Sequence, residues 1–276
     1  MRSWVPSHIT GFFAAKRSDD PKTSGSIGCG LALVLGATTS VEDALQTEII
    51  LNESSSDAPV SRYVVDRLAK SPVRVRTKLD MPLGSGFGAS GAGALGCALA
   101  LNAHFDLGLT ADQAASVAHV AEVLSGTGLG DVIGQNTGGL VIRLEPGAPG
   151  IGRVDRIPVP PLKVNYVVSG PISTKDVLSD KARMKAVNEA GEAALKELLR
   201  RPTLREFMRL SRRFTVQAEL ASDWALDAIE AVEAVGGMAS MVMLGDAVFA
   251  FGGLEALKSF GEVHSTTISQ RGANLD

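Results

Sequence analysis

Residues 82–94 form a glycine-rich segment with the composition of a phosphate-binding loop. Glycines at positions 84, 86 and 88 let the backbone turn tightly and bring bare N–H groups against an anion. The small residues and leucines that follow favour a helix, and its N-terminus adds roughly half a positive charge that attracts phosphate without a lysine. A tight turn with close helix packing is the alternative, but it needs fewer glycines. The residues predicted to hold the nucleotide are Pro82, Leu83, Gly84, Ser85, Gly86, Phe87, Gly88, Ala89, Ser90 and Gly91.

The spacing in this segment excludes one kind of nucleotide loop and leaves another open. A Walker A loop ends in Gly-Lys-Ser/Thr, and no such triplet occurs here. A dinucleotide fingerprint can be placed on Gly84, Gly86 and Ala89, with Asp106 as the ribose-binding acid. That alternative requires a strand over residues 97–105, where the composition favours a helix.

Two carboxylates that follow the loop suit phosphoryl transfer. Glu122 falls near the end of a helix whose start is marked by a capping box of Thr110 and Gln113, and a glycine-rich loop then leads to Asp131. Phosphoryl transfer uses one carboxylate to hold Mg²⁺ and another to accept the proton of the attacking hydroxyl. Ser90, in the first turn after the glycines, can reach a phosphate oxygen or a metal ion. Taken alone, Glu122 is typical of a solvated helix residue and Asp131 of a turn or N-cap.

Arg143 and His119 are two further candidates. His119 shares a helix face with Glu122, although a lone histidine on a mostly alanine helix is more often structural than catalytic. Arg143 lies inside the apolar run from Leu140 to Leu144, where an arginine needs a partner. A substrate carboxylate bound bidentately and an internal Asp or Glu are equally compatible with this position.

The order of strand-like and helix-like segments predicts an α+β fold. Strands are predicted at residues 28–35, 47–51, 73–79, 139–144, 163–169, 241–251 and 263–268. Helices are predicted at residues 89–105, 111–124, 180–199, after Thr203, and at 223–235. Residues 52–61 are predicted to be a polar turn, and the proline-rich stretch 145–161 is the best candidate boundary between two halves.

Bulk composition limits the function classes. The 276 residues, 45% hydrophobic and 21% charged, are ordinary for a globular protein of one or two domains. A net charge of −3 gives no sign of a nucleic-acid or membrane surface. Cys29 and Cys97 are too few for a disulfide framework and predict buried, reduced thiols. No signal region or bilayer-spanning run is evident, so a cytoplasmic protein is expected.

These motifs resemble those of the GHMP superfamily of small-molecule kinases. Its second motif, of the type Pro-x-x-x-Gly-x-Gly-Ser-Ser-Ala, matches Pro82–Gly93, with Ala89 in place of the first serine. Its third motif resembles Gly236–Gly245, and residues 172–176 resemble the start of the family's second domain. Within the superfamily, Pro6–Phe13 is similar to the first motif of archaeal-type pantoate kinases, and further similarity lies at residues 24–30, 126–132 and 138–143.

The resemblance implies transfer of the γ-phosphate of ATP, with Mg²⁺, to pantoate, which gives 4-phosphopantoate for coenzyme A biosynthesis. It implies an N-terminal ATP-binding domain, residues 1–155, that is ribosomal-protein-like, and a ferredoxin-like C-terminal domain, residues 156–276. The roles carried over are Asp131 as catalytic base, Ser90 and Glu122 as Mg²⁺ and phosphate contacts, and Ser26, His119 and Arg143 as pantoate-binding residues. His8 stands where many relatives have lysine, so no lysine is expected to acidify the hydroxyl.

Two alternatives stay open at this point. One is a GHMP kinase for another small alcohol, such as homoserine, mevalonate or shikimate, which differs in the first motif and the segment around Arg143. The other is a nucleotide- or dinucleotide-binding module without catalysis, against which the intact Asp131 and Glu122 argue. A homodimer is compatible with the sequence, which does not decide the oligomeric state.

Overall fold

The computed structural model describes residues 1–170 and 181–276, whose strands form two sheets. The larger sheet contains β1 (Arg2–Lys16), β2 (Gly25–Asp43), β3 (Glu48–Leu51), β4 (Ser54–Ser55), β5 (Val73–Leu79), β6 (Leu140–Arg143), β7 (Val154–Ile157) and β12 (Asn274–Leu275). The smaller sheet contains β8 (Lys163–Gly170), β9 (Met238–Met241), β10 (Asp246–Phe251) and β11 (His264–Thr267). The helices are α1 (Pro59–Leu68), α2 (Ala89–His104), α3 (Ala111–Ser125), α4 (Asp131–Thr137), α5 (Lys181–Leu198), α6 (Leu204–Gln217), α7 (Asp223–Ala234) and α8 (Leu254–Leu257). The predicted α+β fold is confirmed.

Strand β2 organises the larger sheet because it is long enough to pair with three other strands. Residues 25–40 pair antiparallel with β1, residues 37–43 with β5, and residues 28–31 with β6. The register of the last pair sets Gly28 opposite Arg143. The start of β2 therefore lies beside the arginine that the sequence singled out.

Helix α2 lies against this sheet and is buried because its residues are small. Every residue from Gly91 to Leu101 is buried. A β-carbon on Gly96 would lie only 2.6 Å from the hydroxyl of Thr39 on β2, so glycine at this position permits the close approach. A helix that is apolar all round belongs in a core, and its N-terminus is thereby held firmly over the sheet.

The smaller sheet has the antiparallel order β11-β8-β10-β9 and meets the larger one through an aromatic cluster. Phe12 and Phe13 of β1 contact Phe214 of α6, with ring centroids 6.4 and 5.9 Å apart. Phe207, also on α6, continues the contact to Phe249 of β10 at 6.4 Å. The predicted division of the chain at residues 155 and 156 stays a prediction, and residues 274–275 return to the larger sheet as β12.

Most predicted elements are present with ends shifted by a few residues at most, but β2 continues eight residues beyond its predicted end. The capping box that starts α3 has both of its hydrogen bonds, and Thr203 caps α6 as expected. The predicted strand over residues 241–251 is instead two strands, β9 and β10, because the chain turns where Leu244 has a φ of 65°. The segment 172–176 lies outside the described residues. Within residues 1–170 and 181–276, no helix is both long and apolar enough to cross a bilayer.

The three longest elements that the sequence patterns miss are β1, α1 and α4. Strand β1 contains the whole of Pro6–Phe13, and its bulges at Pro6/Ser7 and Thr10/Phe12 break the alternation that marks a strand. Helix α1 begins inside the predicted polar turn because Pro59 suits a first helical position. Helix α4 has seven residues that start directly after a glycine-rich loop, too few for a visible period.

Gly191 of α5 offers a test of how tightly this helix packs on β1. A β-carbon at this position would overlap the carbonyl oxygen of Phe13 and lie 2.9 Å from the nitrogen of Ala14. We expect Gly191→Ala to lower the free energy of unfolding by about 1–3 kcal/mol, because backbone atoms cannot move aside as a side chain can. Chemical denaturation of both proteins measures the difference.

Gly93→Ala in α2 is the matched control, since a β-carbon there would make ordinary contacts of 3.6 and 3.8 Å. Because alanine has a higher helix propensity than glycine, this variant should be as stable as wild type or up to about 1 kcal/mol more stable. A Gly191→Ala variant as stable as this control would contradict the close packing of α5.

Candidate active site

A cavity of about 440 Å³ lies where the glycine-rich loop, the start of β2 and the loop before α4 meet. The sequence-predicted site residues that line it are Ser26, Pro82, Leu83, Gly84, Gly86, Phe87, Gly88, Ala89, Ser90, Glu122, Asp131 and Arg143. Ser85 and Gly91 belong to the same loop but do not line the cavity. The structure thus brings together, from distant parts of the chain, nearly all the residues that the motifs singled out.

The glycine-rich loop has the backbone conformation that its composition predicts. Gly84, Gly86 and Gly88 have φ values of 71°, 81° and 68°, a region that side chains rarely occupy. Gly88 is the N-cap of α2, so the free N–H groups of the first turn lie at the cavity. The loop is fastened from behind, because the Gln135 amide donates to the carbonyl of Gly88 over 2.8 Å.

The third motif closes the other side of this loop. A β-carbon on Gly86 would lie 2.6 Å from the carbonyl oxygen of Met243, and one on Gly245 would overlap the backbone of Ser85. Both glycines are therefore required where the turn between β9 and β10 packs on the phosphate loop. The third family motif therefore packs directly against the second.

Glu122 is a buried carboxyl rather than a solvated one, with 3% of its surface exposed. Its Oε1 accepts hydrogen bonds from the hydroxyls of Ser90 and Thr127, each over 2.7 Å. Burial raises the pKa of Glu122 to about 7, with the charge of Asp131 adding to the effect and the two hydroxyls opposing it. Thr127 has no signal in the sequence beyond its place in the loop after α3.

Asp131 is the first residue of α4 and borders the cavity, with 24% of its side chain exposed. A β-carbon on Gly128 would overlap Oε2 of Glu122 and lie 3.5 Å from Oδ2 of Asp131, so the two carboxylates approach each other across this glycine. Phosphoryl transfer uses such a pair, with one carboxylate to hold a cation and the other to accept a proton.

His8 is a site residue without a predicted role in the sequence. Its ring is fully buried and its Nδ1 lies 2.8 Å from Oδ1 of Asp131. Burial lowers the pKa of His8, although the hydrogen bond to Asp131 opposes that shift. The available signal was its position in the first motif, where many relatives carry lysine, but sequence alone does not reveal what the ring contacts.

Arg143 is the largest fully buried side chain of the described residues, with 1% of its surface exposed. Its Nη2 makes a long hydrogen bond of 3.4 Å to the hydroxyl of Thr10, while Nε and Nη1 have no partner. Among the described residues, no carboxylate lies within ion-pair distance of the guanidinium. A β-carbon on Gly130 would overlap the Ser26 hydroxyl and lie 2.7 Å from Nε, so the serine and the arginine sit side by side.

His119 lies near Ser26 but outside the cavity. It is buried, its Nε2–H donates to the carbonyl oxygen of Ser24 over 2.8 Å, and it does not line the cavity. The bond supports the turn that leads into β2, where Ser26 is the second residue. A direct contact of His119 with substrate stays a prediction.

Comparison with known proteins identifies the family of this chain. A family model for the N-terminal domain of GHMP kinases matches residues 58–139. The pantoate kinase of Thermococcus kodakarensis is 38% identical over 265 residues, which cover 91% of this chain and 87% of that protein. The chain belongs to the pantoate kinase family.

Solved structures agree with membership of the pantoate kinase family. A phosphotransferase related to the CoA biosynthesis pathway superposes with a TM-score of 0.89 at 32% identity, covering 100% of this chain and 98% of the other. The homoserine kinase of Cytophaga hutchinsonii shares the fold at a TM-score of 0.69 and 16% identity, covering 100% and 97%. The resemblance to GHMP kinases is thus confirmed. The dinucleotide alternative is wrong, because residues 97–104 are helical and not a strand.

Because the pKa of Glu122 is raised, the free energy of unfolding of this protein should depend on pH. Its folded-state value of about 7 exceeds the ordinary value of 4.5, so the folded protein binds this proton more tightly than the unfolded chain. Stability is therefore lost as pH rises through this window. We expect wild type to lose up to about 3 kcal/mol relative to Glu122→Gln between about pH 5 and about pH 8.

Denaturant unfolding of both proteins at the two pH values, with a metal chelator present, checks this expectation. The chelator matters because a cation bound at the carboxylate would offset the cost of ionising it. An unchanged difference between wild type and Glu122→Gln at both pH values would show that Glu122 is not an uncompensated buried carboxyl.

Proposed function

We propose that this protein transfers the γ-phosphate of ATP to the 4-hydroxyl of pantoate. The observation that carries the proposal is the buried guanidinium of Arg143, unpaired by any described carboxylate, beside Asp131 and the phosphate loop in one cavity. The curated relative at 38% identity is named for the same activity. Pantoate is a small monoanion with two hydroxyls and a gem-dimethyl group, and each part has a counterpart in the site.

The carboxylate of pantoate is matched by Arg143. Nε and Nη1 have no partner and Nη2 makes only one long bond, so Nη2 together with either neighbour can donate to a carboxylate, and such charge-assisted bonds are roughly twice as strong as neutral ones. The Ser26 hydroxyl beside the guanidinium supplies a further polar contact. Phe13, Leu129 and Met243 line the same cavity and offer apolar walls for the methyl groups.

ATP is matched by the phosphate loop. The glycines present backbone N–H groups, and the N-terminus of α2 favours the negative charge of the phosphates. Pro59, Val60 and Leu79 also line the cavity and offer apolar surface for the base. Binding in this manner holds the nucleotide without a lysine.

Asp131 acts as the base in the proposed reaction. As the oxygen of the acceptor hydroxyl bonds to the γ-phosphorus, the bond to the bridging oxygen of ADP breaks, and the hydroxyl proton passes to the carboxylate of Asp131. The products are ADP and 4-phosphopantoate. A carboxylate at a helix N-terminus and in contact with the cavity is placed for this transfer.

Ser90 and Glu122 are the residues proposed to hold Mg²⁺. Hard cations of this kind bind oxygen ligands, and Mg²⁺ is commonly held by one or two carboxylates together with substrate phosphates. A buried carboxyl joined to a hydroxyl of the loop's first turn fits that donor set. When bound, Mg²⁺ would neutralise charge on the phosphates.

A coupled assay tests the acceptor. Purified protein with ATP and Mg²⁺ should release ADP with pantoate and form 4-phosphopantoate, while Asp131→Asn should lower kcat by roughly 10²–10⁴, the usual worth of a positioned base. Homoserine and mevalonate in place of pantoate are the controls. Turnover of either with pantoate inert would overturn the acceptor and leave the family intact.

Arg143→Lys tests the anion contact. Lysine keeps the charge but loses the planar, two-point contact, so KM for pantoate should rise about 10- to 100-fold. KM for ATP and the melting temperature should stay near those of wild type, because no described carboxylate is left unpaired. Arg156→Lys, on the exposed neighbouring strand β7, is the matched control.

A loss of melting temperature with an unchanged KM for pantoate would contradict the substrate role of Arg143. It would indicate that the guanidinium contributes to folding instead.

A further inference from the structure

His8 connects the phosphate loop and the catalytic carboxylate within one residue. Its backbone N–H donates to the carbonyl oxygen of Phe87 in the loop over 3.1 Å, and its Nδ1 lies 2.8 Å from Oδ1 of Asp131. The two groups that must stay in register during phosphoryl transfer are thus bonded to the same residue. The side chain does not line the cavity, so it acts through Asp131.

The ring has no freedom to move. A β-carbon on Gly30 of β2 or on Gly134 of α4 would lie 2.6 Å from Nε2, so the imidazole is enclosed by backbone from both elements. No atom of the described residues hydrogen-bonds to Nε2. The packing fixes the distance to Asp131.

This environment selects one form of the imidazole. A proton on Nε2 would be a buried donor without an acceptor, and would leave a lone pair of Nδ1 facing the carboxylate. Burial lowers the pKa of His8, which disfavours a second proton. The ring is therefore neutral, with its proton on Nδ1.

We propose that His8 is a positioning residue for the reaction, whose neutral Nδ1–H holds Oδ1 of Asp131 and leaves Oδ2 free for the acceptor hydroxyl. This inference rests on the proposed function of Asp131 as base. A neutral donor orients the carboxylate without cancelling its charge, whereas a cation in this place would orient the carboxylate and also cancel its charge. The hydrogen bond is formed within the protein, so its loss should affect turnover more than the binding of either substrate.

Two substitutions of His8 separate positioning from packing. His8→Leu keeps a buried side chain of similar size but has no donor, and we expect kcat to fall about 10²-fold, as for a misplaced catalytic group. His8→Asn places an amide nitrogen where Nδ1 lies and should recover most of that loss. KM for pantoate and for ATP should change little in both variants. Equal kcat for folded His8→Leu and wild type, or no recovery in His8→Asn at equal melting temperature, would overturn the proposal.

Nitrogen NMR of the wild-type imidazoles tests the same inference without any assay. Four histidines are present, and the signals missing from the spectrum of His8→Asn assign the ring. The expected result is a neutral ring protonated on Nδ1, with that signal shifted in Asp131→Asn. A proton on Nε2, or no response to Asp131→Asn, would overturn the proposal even if His8→Leu fails to fold.

The two tests also separate this inference from the proposed function. The tautomer and its response to Asp131→Asn do not depend on which alcohol is phosphorylated, whereas the acceptor assay with wild-type protein does.

Discussion

Burying a guanidinium without a carboxylate carries a large free-energy cost, and the cavity is organised around one such group. Arg143 is held inside because its neighbours on β6 are apolar and its strand pairs on both edges, with β2 and β7. Thr10 supplies a single long hydrogen bond, which leaves most of the donors unsatisfied. On the proposed function, an anionic ligand would recover part of that cost on binding, so that folding itself would pre-organise recognition of the pantoate carboxylate.

Glycines at close contacts let the other groups converge on this arginine. Gly128 separates Glu122 from Asp131, Gly130 sits against Ser26 and Arg143, and Gly134 packs on the ring of His8. All three belong to the loop and short helix that carry Asp131, so one stretch of chain touches the carboxylates, the guanidinium and the imidazole of the site. Any side chain at these positions would force the groups apart. The composition of this stretch therefore reflects crowding of functional residues and not flexibility.

The sequence allowed prediction of the parts that depend on local chemistry. The phosphate loop is visible because its glycines need positive φ, and β5 because Val73, Val75, Thr77 and Leu79 alternate with charged residues. The place of Arg143 in an apolar strand showed that it needed a partner, but the choice between substrate and internal carboxylate depended on three-dimensional neighbours. The contact of His8 with Asp131 joins residues 123 positions apart, and no local pattern encodes it. Helix α4 was hidden for a different reason, since a seven-residue helix is too short to show a period.

The proposed neutral state of His8 matters because of the charges that line the cavity. Glu122, Asp131 and one guanidinium, that of Arg143, line the cavity, and a substrate carboxylate would pair with that guanidinium and leave none for the phosphates. The N-terminus of α2 and a divalent cation at Glu122 are then the remaining sources of positive potential near the transferred group. An added cation at position 8 would lie against Asp131 and weaken it as a base while doing little for the phosphates. A buried neutral donor is thus the arrangement in which the carboxylate is held in place and still able to accept a proton.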